Sequence, residues 1–372
     1  MAATTHIRRV GAPLRGLAIG LRTQSWPAHS RLFVAGDGNR WAVADDAAEV
    51  SRLAASLGIR VGPERWIARV RNQCVFHTSQ FTLIGLPFER HGNRLGVAYL
   101  HGRPGTPGMP DFDTCYETVR RRHGELDRVQ VSNRAMEELV LGTGIAPEKV
   151  FRIPIGVDSE RFSPRDATAR AEARRRLDLP ESAFVVGSFQ KDGVGWGEGL
   201  EPKLIKGPDV LLAVAERLVC DVPELRLLLT GPARGYVAAG LERLGVPFDH
   251  RLLPDLDAVA LAYRAIDLCL VTSRDEGGPK AVLESMATGV PLVTTRVGQA
   301  ADLVRDGENG WLREVEDTEA LAQAAAHVAR APAAELARVA AAARETATAY
   351  SWAALRPCWQ ELFAGFVAMG AA

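Results

Sequence analysis

The segment Glu276-Gly277-Gly278-Pro279-Lys280 is followed by a second carboxylate at Glu284, with seven residues between the two acids. Each part has its own chemical use. Gly277 and Gly278 leave backbone N–H groups bare at a helix N-terminus, which suits a phosphate. Carboxylates accept hydrogen bonds from hydroxyls. Acids around a phosphate cradle make sense for a ligand that carries both groups, as a sugar nucleotide does. Pro279 closes the turn, and Lys280 either adds positive charge or is an ordinary surface lysine.

The elements that must position these groups read as a βαβ unit. Ile266 to Val271 is a buried strand, Lys280 to Thr288 a short helix stopped by Gly289, and Pro291 to Thr294 opens a second strand. Ligands in such sheets bind beyond the carboxyl ends of the strands. Upstream, Phe184–Gly187 and Leu225–Thr230 read as strands, the second ended by Gly231-Pro232-Ala233-Arg234-Gly235, and Arg251–Pro254 follows a further short strand. The first half has the same grammar. Arg31–Ala35 is a strand, Gly36-Asp37-Gly38-Asn39 a loop, and Trp41–Leu57 a helix. The loop is not G-x-G-x-x-G, so a dinucleotide site is not supported. Cys74–His77 and Leu95–Leu100 are short strands, each with a histidine (His77, His101) at its carboxyl end. Arg128–Ser132 and Val150–Ile155 complete this half, with Ser132 expected to cap the helix that follows. Helices are expected over Ala167–Leu177, Ala300–Val304, Glu319–Arg330, Ala333–Thr346 and Trp352–Phe366.

Glu276 and Glu284, the double glycine, the continuation SMATGVPLVTT and the stretch DGENGWL (Asp306 to Leu312) together resemble the family-4 retaining glycosyltransferases, "glycosyl transferases group 1", with their Glu-x7-Glu motif. The resemblance implies the α/β GT-B fold: two Rossmann-like βαβ domains facing across a cleft, with a C-terminal helix crossing back to the first. It implies transfer of a hexosyl or N-acetylhexosaminyl group from a nucleotide sugar (UDP-, GDP- or dTDP-linked) to an acceptor hydroxyl with retention, without metal or cofactor. Glu276 would hold donor-sugar hydroxyls, Gly277 and Gly278 the phosphate or sugar through their amides, and Glu284 the ribose. Lys206, from a matching Lys-Gly, would hold the diphosphate, with Lys191 as a second cation, and Pro279, Lys280 and Gly231 would complete the donor side. Leu252 and Leu253 are candidate base contacts through backbone groups. His101 would contact the donor sugar or the acceptor, and Gly38, Asn39, Trp41 and His77 would line the acceptor cleft; for Asn39 and Trp41 a helix cap and a core tryptophan are the alternatives. The family's arginine after the first strand of the second domain is replaced here by Ser188, Phe189 or Gln190. Positive charge is still required, since the leaving diphosphate gains negative charge as the glycosidic bond breaks. The insertion Gly193–Gly199, with Trp196, reads either as a mobile flap or as a disordered surface loop. Two rivals remain at this level: a degenerate, non-catalytic sugar-nucleotide-binding partner, and an epimerase, for which Asp111 and Asp113 are the nearby acids.

Composition bounds these readings. A chain of 372 residues with 47% apolar content is expected to form two domains. Lys+Arg and Asp+Glu both count 45, which argues against a nucleic-acid binder. The five cysteines form no C-x-x-C, so neither a zinc site nor a disulfide framework is indicated, and a cytoplasmic setting follows. No apolar run approaches the roughly 18 residues of a membrane span, and Gly16–Leu21 is too short for a signal-peptide core. Arg8, Arg9, Arg15, Arg22 and Arg31 precede the first acid, which leaves a peripheral membrane contact open. The expected division is a basic tail over 1–30, domains over 31–165 and 166–350, and a crossover helix over 351–372, with acceptor and oligomeric state unread.

Overall fold

Apolar runs of four to six residues, bounded by loops and buried on both faces, are the signature of parallel strands covered by helices. The chain builds two such sheets. The computed structural model describes residues 11–36, 42–84 and 91–368. In the first unit, strands β1 (Arg31–Ala35), β2 (Arg60–Val61), β3 (Cys74–His77), β4 (Arg94–Tyr99), β5 (Arg128–Val131) and β6 (Val150–Arg152) form an all-parallel sheet in the order β2-β1-β3-β4-β5-β6. In the second, β7 (Phe184–Ser188), β8 (Leu225–Thr230), β9 (Phe248–Arg251), β10 (Leu268–Val271), β11 (Leu292–Thr295) and β12 (Trp311–Arg313) form another, in the order β12-β11-β10-β7-β8-β9. Parallel pairing of this kind needs crossover connections rather than tight hairpins.

The first unit extends to Ile153 and takes the chain up again at Leu355; the second is the continuous stretch Pro154–Ala354. The last helix is Arg356–Phe363, shorter than the expected Trp352–Phe366. Pro357 fits only the first turn of a helix, where no N–H is needed, so the helix starts there. Trp352 instead donates its backbone N–H to Val157 O at 3.1 Å, within the second unit.

Within the first unit the returning helix is held by shape and by its carbonyls. Trp359 and Phe363 are fully buried and meet Phe76 of β3 edge-on, at ring-centre distances of 5.6 and 6.4 Å. The carbonyls at the helix end lack partners of their own. Arg128 donates to Leu362 O and Ala364 O, and Arg94 to Gly365 O and Phe366 O, at 2.7–2.9 Å. Trp359→Ala is expected to cost about 3–5 kcal/mol, the usual toll of an emptied aromatic site. Chemical denaturation would measure it, and a loss below about 1 kcal/mol would contradict this packing.

Two local expectations change. Gly11–Gln24, inside the expected basic tail, is an α-helix. Its apolar residues Leu14, Leu17, Ala18 and Leu21 recur at helical spacing, a signal outweighed in the sequence by the surrounding glycines and prolines. The cap of the helix Arg134–Leu141 is Asn133, whose Oδ1 accepts from Met136 N at 3.0 Å. Ser132 turns instead to Leu100 O at 2.9 Å.

Candidate functional site

The strand order of the second sheet reverses its direction of growth between β7 and β10. A crevice opens outside the carboxyl ends of strands at such a point. The residues that leave β7 are Phe189, Gln190 and Lys191; those that leave β10 are Thr272, Ser273 and Arg274, leading into Glu276. Topology alone therefore brings the Glu276 turn beside the segment after β7.

Side chains close the arrangement. Lys206 Nζ lies 2.6 Å from Glu276 Oε2, with 20% and 11% of the two side chains exposed. Ser273 Oγ is 2.9 Å from Glu276 Oε1 and 3.2 Å from Gln190 Oε1. Gln190 in turn donates through Nε2 to Lys206 O at 2.8 Å. Gln190 occupies a position where the resemblance implies an arginine, and its contribution is to fix the backbone of the lysine. Lys206 itself sits in a single 3-10 turn, Leu204–Lys206, immediately before Gly207.

Arg274 welds this corner together. It makes a two-pronged pair with Asp209 at 2.8 and 2.7 Å, reaches Glu316 at 2.6 Å, and donates to Leu204 O at 2.7 Å. Its guanidinium holds the Asp209 carboxyl below the usual carboxylate range. The N–H groups of Arg274 and Asp275 both donate to Ile205 O. The loop after β10 and the turn bearing Lys206 are thus tied together.

Gly277 and Gly278 precede the helix Lys280–Thr288, with Pro279 at its N-cap. Gly277 O accepts from Gln299 N at 2.9 Å, and Gln299 Oε1 accepts from Ile155 N at 2.9 Å, fixing the turn. Lys280 is half-buried in the first helical turn. Glu284, one turn on, accepts from the buried Tyr263 hydroxyl at 3.0 Å. Burial, with Glu284 adding to it, pushes the Tyr263 phenol well above its ordinary range, so it serves as a fixed neutral donor. His250 Nε2 lies 2.6 Å from Gly231 O, which accepts from it. Leu252 is 71% exposed, and Leu253 packs partly against the core.

The insertion after β7 is neither a disordered loop nor a free flap. Gly193 bridges antiparallel to Pro202, Val194 N donates to Glu201 O at 2.9 Å, and Lys203 N to Asp192 O at 2.7 Å. Its tip rests on the next loop: Gly235 N and Tyr236 N donate to Glu198 O and Gly199 O at 2.8 and 2.9 Å. These are the first amides of the helix Gly235–Leu244, so the insertion satisfies donors that would otherwise be orphaned. A Cβ on Gly199 would lie 2.4 Å from the Ala233 carbonyl, so only glycine permits the approach. Trp196 is 55% exposed, with the Lys191 amine 4.8 Å from its ring centre.

Arg234 is the residue that sequence reasoning passed over. Fully buried, it donates to Ser188 O, Gln190 O and Thr230 O at 2.6–3.0 Å and pairs with the equally buried Asp192 at 2.9 Å. Burial opposes the charge of both partners, raising the acid and lowering the arginine; the three carbonyls offset this on the arginine side. An arginine inside a Gly-Pro-Ala-Arg-Gly loop was a signal, but nothing local told which way it turned.

In the first unit, His77 ends β3 and is buried; burial lowers its pKa to about 4, so it is a neutral ring at ordinary pH. His101 is half-buried, its ring edge-on to Phe81 and Phe112 at 5.5 and 5.4 Å, and its carbonyl accepts from Gln80 at 2.7 Å. Gly38, Asn39 and Trp41 lie outside the described residues. Among the described residues, no group of three or more His, Cys, Asp or Glu is arranged to hold a metal ion, and no helix is long and apolar enough to cross a membrane.

Residues 198–330 match the family model described as Glycosyl transferases group 1. A D-inositol 3-phosphate glycosyltransferase of Geodermatophilus obscurus is 37% identical over 246 residues, covering 61% of this chain and 50% of that protein. One from Streptomyces scabiei is 32% identical over 288 residues, covering 70% and 60%. The chain thus spans about half to three fifths of the length of these relatives. HepE from Anabaena, solved in complex with UDP and glucose, superposes with a TM-score of 0.71 at 17% identity, over 90% of this chain and 99% of that one. Sucrose-phosphate synthase from Thermosynechococcus elongatus gives 0.71 at 18%, over 90% and 100%. The architecture is GT-B, and Lys206, Glu276, the double glycine and Glu284 all fall inside the segment that carries the glycosyl transferases group 1 match.

Proposed function

We propose that the chain transfers a hexose or N-acetylhexosamine from a nucleotide sugar to an acceptor hydroxyl, with retention of configuration and without a metal ion. The observation that carries this reading is the Lys206–Glu276 pair, set at the switch point of the second sheet beside the Gly277-Gly278 turn. In this reading the donor's diphosphate lies on the Gly277 and Gly278 amides and on Lys206, with Lys191 as a second cation. Glu276 accepts bonds from the sugar hydroxyls, and Glu284 from the ribose. As the bond between the anomeric carbon and the phosphate oxygen breaks, charge grows on that oxygen, and the ammonium of Lys206 stabilises it. The acceptor oxygen bonds to the anomeric carbon on the same face, and its proton passes to the departing phosphate oxygen. No protein nucleophile is consumed. His101, and His77 as an uncharged donor, belong to the acceptor side in this scheme. The structures of HepE with UDP favour a UDP-linked donor as the first to try. The relatives' name makes a phosphorylated polyol the first acceptor to try.

The test is thermal stabilisation by UDP-, GDP- and dTDP-sugars, with and without chelator. Binding at a hundredfold excess over Kd stabilises by about 2.7 kcal/mol. One nucleotide sugar is expected to raise Tm independently of chelator, and Glu284→Ala to reduce that shift. Silence across the whole panel would overturn the reading, and a product of inverted configuration by NMR would overturn retention.

A further inference from the structure

The insertion after β7 returns the chain to the site at Lys203. The bridge between Gly193 and Pro202 sets two short segments side by side, and the 2.7 Å bond from Lys203 N to Asp192 O holds Lys203 next to the backbone of Lys191. Lys206 N donates to Lys203 O at 2.8 Å, which closes one 3-10 turn between the two lysines. Lys203 is the N-cap of that turn, and its charged neighbours are Lys206, Lys191 and Glu276. Three ammonium groups, Lys191, Lys203 and Lys206, are thereby gathered where Glu276 supplies the facing carboxylate. Lys206 is paired with it. Lys191 lies over Trp196 and 3.2 Å from Gly193 O. The half-buried Lys203 amine has no hydrogen-bond or ion-pair partner among the described residues.

We propose that the insertion exists to deliver Lys203 as a phosphate-binding residue of the donor site, so that the diphosphate is held by Lys203 together with Lys206. This rests on the nucleotide-sugar reading above and names a residue that reading does not use. A half-buried ammonium beside two others, with Glu276 as the one facing carboxylate described above, is unfavourable until a further anion joins them. The amine's pKa is correspondingly low, about 8; burial is the main cause, with Lys206 and Lys191 adding to it and Glu276 opposing. An arriving diphosphate stabilises the charged form. Affinity is therefore full while Lys203 is protonated and declines as pH rises above about 8.

The experiment is calorimetric titration of the full chain with UDP and with inorganic pyrophosphate, from pH 6.5 to 9.5, for wild type, Lys203→Ala and Lys203→Arg, each checked for an unchanged melting transition. Lys203→Ala is expected to weaken both ligands about 10- to 100-fold at pH 7, the range for a lost charged hydrogen bond, and to flatten the decline above pH 8. Lys203→Arg is expected to recover part of the affinity and to keep it to higher pH. Wild-type binding that Lys203→Ala leaves within about twofold, with the same pH profile, overturns the assignment of Lys203 alone. No binding of either ligand to wild type overturns this assignment and the nucleotide-sugar reading together.

Discussion

Lys206→Ala is expected to lower kcat for sugar transfer by about 10²–10³-fold, the loss seen when one fixed positive or hydrogen-bond donor is withdrawn from a developing oxyanion. The reason is geometric. Lys206 is anchored through its own carbonyl by Gln190 at 2.8 Å and through its amine by Glu276 at 2.6 Å. In the proposed reaction it would therefore meet the leaving oxygen already oriented, with little reorganisation needed. Lys206→Arg keeps the charge but changes its length and shape, and is expected to restore only a fraction of the rate. Glu276→Gln removes the partner while leaving a hydrogen-bonding group, so a double-mutant cycle separates the pair's coupling from each residue's own contact with substrate. The loss is expected mainly in kcat, because growing charge is greatest in the transition state. A change of less than about threefold in kcat/KM would remove Lys206 from the chemistry.

Gly207→Ala is expected to destabilise the second unit strongly. Gly207 has φ 62° and ψ 42°, and a Cβ there would lie 1.9 Å from Thr272 O. Thr272 cannot simply retreat, because its own hydroxyl donates to Gly207 O at 2.9 Å. Left-handed strain and overpacking each contribute about 1–3 kcal/mol. The unit spans Pro154–Ala354, and for a unit of that size each kcal/mol lowers Tm by about 2–4 °C. A fall of roughly 10 °C in a calorimetric scan is the expected result, with a shift under about 2 °C as the contradicting one. Since Gly207 follows Lys206 directly, the same change would displace that lysine even in the surviving folded fraction.

Lys206-Gly207 stands out in the sequence through its resemblance to the family's Lys-Gly, whereas the turns and strands are legible for a local reason. A Glu-Gly-Gly-Pro turn and apolar runs bounded by glycine each encode their structure within a few residues. The strands were legible on the same grounds, as continuous apolar runs. Arg234 and Lys203 were not, because their roles depend on contacts made across the sheet. Arg234 reaches back to carbonyls more than forty residues earlier in the chain, at Ser188 and Gln190. Lys203 depends on an antiparallel bridge whose register no periodicity announces. The glycines of the insertion suggested freedom, yet Gly199 is there for close approach to Ala233. Asn133 and Ser132 illustrate the finest scale, where two adjacent capping residues compete and the helix takes the second.

The return of the chain to the first unit at Leu355 also orders events in time. Phe76 of β3 and Gly96 of β4 face the aromatic rings of Trp359, Phe363 and Phe366, and β4 and β5 lend Arg94 and Arg128 to the same segment. On the ribosome, all of Pro154–Ala354 must be made between the two halves of that interface. At roughly 5–20 residues per second this is an interval on the order of 10–40 s. During it the nascent first sheet presents an uncovered apolar face, while the contiguous second unit has everything it needs to fold at once. Of the two units, the one that begins first is therefore the one completed last.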